Sequence, residues 1–106
     1  MPKYLIEASY TLEGIKGVMK SGGTARRAAM QRAVESVGGR FEVQYFALGE
    51  HDAFVIADLP DHVSAAAISL AVTATGAACT KTTTLLTPEE VDQAIKKTVK
   101  YDPPRA

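Results

Sequence analysis

Cysteine is nearly missing from this chain, with Cys79 the only one. A single thiol excludes an internal disulfide and any Cys-rich zinc site. Net charge is missing too, because twelve basic residues balance twelve acidic ones. Nucleic acid and anionic membrane surfaces therefore find no overall field to draw them in. There is no long apolar run. The opening stretch MPKYLIEASY holds a short apolar patch interrupted by Glu7, which fits neither a signal peptide nor a transmembrane segment. Repeats and low-complexity segments are also lacking. The expectation from these absences is a cytoplasmic protein with neither nucleic acid nor membrane as a partner.

What is present is ordinary in amount and informative in order. The 106 residues suffice for one domain with a real core, expected over 1–100. Residues 101–106, YDPPRA, are expected as an extended or disordered tail. Residues 3–10 alternate, with Tyr4, Ile6, Ala8 and Tyr10 on one side and Leu5, Glu7 and Ser9 on the other, which predicts a strand. Thr11 is placed to cap a short helix through Met19, weakened by Gly14 and Gly17. After Ser21-Gly22-Gly23, Thr24 is expected to cap a better helix, whose stripe is Ala25, Ala28, Ala29, Ala33, Val34 and Val37. Gly38-Gly39 ends it.

Residues 40–48 and 53–59 predict two strands joined as a hairpin through Gly49. Pro60-Asp61 then opens an alanine-rich helix over about 62–75, stopped by Gly76, and a threonine-rich strand follows over 77–86. Thr87-Pro88-Glu89-Glu90 is a strong helix start, with a Thr cap, Pro at the first position and Glu three residues after the cap. The order β-α-β-β-α-β-α predicts an α+β fold of the ferredoxin-like βαββαβ kind with an extra C-terminal helix. Two right-handed crossovers would leave a four-stranded antiparallel sheet with helices on one face.

The other face of that sheet needs a cover. Ile6, Val43, Tyr45, Val55 and Ala57 are expected on one side, and Leu5, Phe46, Leu48, Phe54 and Ile56 on the opposite one. Both faces are apolar, whereas a water-facing sheet would alternate with polar residues. A second subunit packed on the free face is the expectation. Glu7 and Lys81 are expected to pair beside it, on neighbouring antiparallel strands.

The most site-like stretch is LGEHDAFV, residues 48–55, with Glu50, His51 and Asp52 in a row. A histidine beside two carboxylates suits general acid–base chemistry. Against this, neighbours in a turn rarely face one another, and catalytic sets are assembled from distant segments. Gly49 then supplies a positive φ, Asp52 bonds turn amides, and His51 is solvated or at an interface. A metal has no ligand set, since His51 and His62 are separated by strand 3 and should lie roughly 20 Å or more apart. Ser21-Gly22-Gly23-Thr24 with Arg26-Arg27 would suit an anion, but it lacks the Gly-Lys-Ser/Thr ending of a P-loop. Cys79 is expected as a small buried hydrophobe. Tyr4, Tyr10 and Tyr45 line either a cavity or the core. An RNA-recognition module shares this element order, but the basic-Gly-aromatic lead-in to AFVIA is missing.

Three segments, PKYLIEASYTLEGIKGV, VGGRFEVQYFALGEHDAFVIADLPD and TLLTPEE, together resemble the GYD-domain family of small bacterial proteins. The resemblance runs from about residue 2 to 95. In that family the hairpin motif usually reads Gly-Glu-Tyr-Asp, so Gly49, Glu50 and Asp52 match and His51 departs from it. The resemblance implies the dimeric α/β-barrel arrangement, in which two ferredoxin-like sheets pack face to face. It brings no established reaction, since fold alone does not supply one. The functional expectation is a homodimeric, cofactor-free ligand-binding or regulatory module, with Tyr10, Arg26, Glu50, His51 and Asp52 as candidate ligand contacts. The alternative is a cofactor-independent enzyme for a small hydrophobic or aromatic metabolite, monooxygenase- or isomerase-like. In it His51 is the catalytic acid–base, helped by Tyr10 or Arg26.

Overall fold

Alternating side chains build a sheet that is apolar on both faces and covered by helices on one. A computed structural model of the protein describes residues 1–104. Its strands are β1 (Lys3–Tyr10), β2 (Arg40–Phe46), β3 (Ala53–Asp58) and β4 (Ala78–Leu85). Its helices are α1 (Leu12–Ser21), α2 (Gly23–Ser36), α3 (His62–Ala74) and α4 (Pro88–Ile95). The sheet order is β2-β3-β1-β4, with every neighbouring pair antiparallel. This is the ferredoxin-like arrangement with one added C-terminal helix.

The core forms where the covered face meets α2 and α3. Tyr4 and Ile6 of β1, Val55 and Ala57 of β3, Val34 of α2, and Ala65 and Ile68 of α3 join Leu59 in one buried cluster. Leu59 and Val34 have no exposed surface, and burying each such side chain contributes about 1.5–3 kcal/mol.

Local chemistry sets the element ends. Asp61 caps α3, accepting a 2.8 Å hydrogen bond from the Ser64 amide. At α4 the Thr87 amide donates to Glu90 Oε1 at 2.9 Å, and the Glu90 amide returns a bond to Thr87 Oγ1 at 3.1 Å. The cap of α2 is Gly22, at φ 88°, and Thr24 lies inside the helix. Gly supplies that positive φ without strain, so α2 starts two residues earlier than a Thr24 cap would place it. Gly14 lets α1 rest on the turn before β4: a Cβ there would sit 1.9 Å from the Ala77 carbonyl oxygen.

Two expectations about faces are corrected by one irregularity. Between Phe41 and Val43 the β2–β3 register shifts, leaving Glu42 as the extra residue of a bulge. From there on β2 is inverted relative to simple alternation. Val43 and Tyr45 pair with Ile56 and Phe54 on the uncovered face, while Phe46 pairs with Ala53 on the helix side. Glu42 turns to Lys3, which also reaches Asp58 at 3.0 Å. These two carboxylates, Glu42 first, raise the Lys3 ammonium above its ordinary pKa.

Past β4 the chain leaves the body. Leu86, Ile95, Val99 and Tyr101 are all well exposed, and α4 packs on no other element to any extent. The radius of gyration is 16.8 Å, against roughly 13 Å for a compact chain of this length. Residues 101–104 form neither helix nor strand, and the rest of the expected tail, Arg105 and Ala106, lies outside the described residues.

Candidate functional site

Small residues on the covered face leave a hollow that larger ones would fill. Ala8, Ala53 and Ala78, with Ile6 and Val55, form the floor of a cavity of about 220 Å³. Met30 of α2 and Ala71 and Val72 of α3 form its roof. Polar groups are few. Tyr10, Arg26, Gln44, Thr75 and Thr80 contribute them, and Thr80 Oγ1 is already bonded to Ser69 Oγ at 2.6 Å. Burial pushes the Tyr10 phenol above its ordinary pKa, against the opposing charge of Arg26 beside it. Gln44 Oε1 is buried without a hydrogen-bond partner.

Across the sheet, on the uncovered face, the β2–β3 loop folds over β1. His51 Nδ1 is hydrogen-bonded to Ser9 Oγ at 3.1 Å, and Nε2 lies 3.2 Å from Glu7 Oε2. The ring stands edge-on to Phe54, with centroids 6.2 Å apart. Asp52 anchors the loop to the β1 backbone: Oδ2 accepts from the Tyr10 amide at 2.8 Å, and its own amide donates to the Ala8 carbonyl. Glu7 and Lys81 are register partners, but the Glu7 carboxylate pairs with His51.

The candidate residues thus divide between two faces. Tyr10 and Arg26 line the cavity; His51 sits on the opposite face, and Glu50 lies exposed in the loop. Gly49 has no positive φ, contrary to expectation, because the loop is closed instead by the Ala47 amide bonding the Asp52 carbonyl at 2.8 Å. Cys79 is exposed rather than buried, since Ala78 takes the inward position at the start of β4. Tyr4 is core and Tyr45 is exposed. Among the described residues no helix is long and apolar enough to cross a membrane, and no three His, Cys, Asp or Glu side chains group as metal ligands.

The model of one family, the GYD domain, matches residues 4–95, nearly the whole folded chain. The chain belongs to the GYD domain family. No curated protein matches it. In this GYD domain the motif residues Gly49, Glu50, His51 and Asp52 form the loop between β2 and β3, with two structural anchors to β1, His51 through the Ser9 and Glu7 side chains and Asp52 through the backbone of Ala8 and Tyr10. Glu7 and Ser9, the partners of His51, were not legible as a set. Alternation alone put both on one face of β1, but only the fold of the loop brings the imidazole to them.

Proposed function

We propose that this GYD-domain protein is a homodimeric, cytoplasmic module that binds a small molecule between its sheet and α2–α3. The observation supporting it most is the cavity, an apolar hollow with a few convergent polar groups, which is how small-molecule sites are commonly built. The dimer part rests on the free face. There Leu5, Val43, Phe54 and Ile56 form an apolar band, with Tyr45 more exposed beside it. Polar clusters flank that band, the Lys3–Glu42–Asp58 ion pairs at one end and the Glu7–His51 contact at the other. A surface of this kind is suited to a second copy.

The enzyme reading draws less support. His51 and the cavity lie on opposite faces of one sheet, so a small substrate does not meet His51, Tyr10 and Arg26 together within a subunit. Thermal-shift screening of a metabolite library tests ligand binding. Stabilisation by a compound, lost on filling the cavity with Ala8→Leu, supports the reading, and stabilisation that survives Ala8→Leu sinks it. Light scattering tests the dimer, which a monomer at micromolar concentration contradicts.

A further inference from the structure

The cavity has an apolar body and an unbalanced charge at its rim. Arg26 lines it, yet no carboxylate forms an ion pair with that guanidinium among the described residues. Asp52 is the acidic group whose charge reaches neighbouring Tyr10, and one of its oxygens is committed to the Tyr10 amide. Arg26 is exposed at the rim, so its guanidinium is within reach of a ligand anion seated at the cavity mouth. Tyr10 adds a hydroxyl beside Arg26, and its burial keeps that hydroxyl protonated and able to donate.

Size narrows the ligand. An apolar cavity of about 150 Å³ accepts benzene, and this one, at about 220 Å³, is larger by roughly two water volumes. That leaves room for one ring and a small head group. Gln44 and Tyr10 mark opposite corners of the floor, two strands and four residues apart, or roughly 16 Å between backbones. The ring therefore lies over the alanines, with its head group toward Tyr10 and Arg26.

Resting on the binding reading above, we propose that the cavity takes a small monocarboxylic acid whose apolar body is about one six-membered ring. Its carboxylate is held by the Arg26 guanidinium, whose planar fork matches that group, and by the Tyr10 hydroxyl. A phosphate ester is disfavoured by size, because its tetrahedral head is bulkier than a carboxylate in a cavity of about 220 Å³.

Isothermal titration with four probes of one ring each tests this: benzoate, benzamide, benzylamine and phenyl phosphate. Benzoate is expected to bind at least about tenfold more tightly than each of the others. Arg26→Gln should bring benzoate down to the affinity of benzamide and leave benzamide unchanged. Ala8→Leu, which fills the floor, should abolish both, with circular dichroism confirming that the variant is folded. Benzamide, benzylamine or phenyl phosphate matching benzoate overturns the acid assignment while the binding reading stands. Benzoate binding that survives Ala8→Leu places the anion elsewhere and also overturns the assignment. Failure of all four probes to bind overturns the acid assignment, and the binding reading is then decided by the metabolite screen.

Discussion

His51 Nε2 lies 3.2 Å from Glu7 Oε2, joining the GYD loop to the middle of β1 on the face that no helix covers. With Ser9 on the other ring nitrogen, both polar atoms of the imidazole are occupied by β1. The histidine is thereby a clasp on the sheet's outer face rather than a wall of the cavity. His51→Ala should weaken self-association measured by analytical ultracentrifugation. It should leave benzoate affinity within about twofold, because the sheet separates the two places. Loss of benzoate binding in this variant, with the dimer intact, would contradict that division.

The two glycines inside α1 predict opposite outcomes. At Gly14 a methyl group would meet the Ala77 carbonyl oxygen at 1.9 Å, and backbone on both sides has to move. Gly14→Ala should cost about 2 kcal/mol or more in chemical denaturation. Nothing lies within 4 Å of a Cβ at Gly17. Gly17→Ala should therefore stabilise by roughly 0.5–1 kcal/mol, as alanine does in an open helical position. Equal effects at the two sites would show that α1 does not dock on the turn before β4.

Asp61 gives the protein an acid-sensitive helix start. The Ser64 amide bonding its carboxylate is the main cause of a pKa below the ordinary 3.8. A depressed carboxylate contributes stability that is present above the unfolded-state value and lost as pH falls through the folded one. Asparagine caps a helix without titrating. The advantage in Tm of wild type over Asp61→Asn should thus be largest near neutrality and shrink below pH 3.8. A difference independent of pH would rule out this role for the charge.

Gln44 offers a test of buried polarity. Its Oε1 has no partner in the fold. Replacing an unpaired buried acceptor by an apolar group of similar size is close to neutral or stabilising. Gln44→Leu should keep or raise Tm, and a marked fall would mean that the amide is bonded in solution.

How legible was this in the chain itself? Features set by a few adjacent residues were legible, because their physics is local. The β1 alternation, the Thr87–Glu90 capping box and the Asp61 start all appear as expected. What depended on tertiary geometry was not. Alternation assumes a constant period of two, so the bulge at Glu42 misplaces Val43, Tyr45 and Phe46 together. A turn glycine suggests a positive φ that the loop does not use at Gly49, and a lone strand cysteine suggests the interior place that Ala78 occupies instead of Cys79. At the candidate site, residue type alone suggests Tyr10 and Arg26 as helpers of His51, whereas the fold puts them at a cavity on the other face. Gln44 gave no signal beyond being polar in an apolar strand. Its lack of a partner depends on what α2 and β3 place around it.

The central claim is that the hollow over the alanines of β1, β3 and β4 is the binding site. Amide chemical-shift mapping with benzoate tests it most directly. Shifts are expected to concentrate at Ala8, Tyr10, Arg26, Ala53 and Val72, with Leu5, Phe54 and Ile56 nearly unmoved in an unchanged dimer. Shifts centred on His51 and the uncovered face, with the cavity amides silent, would contradict it.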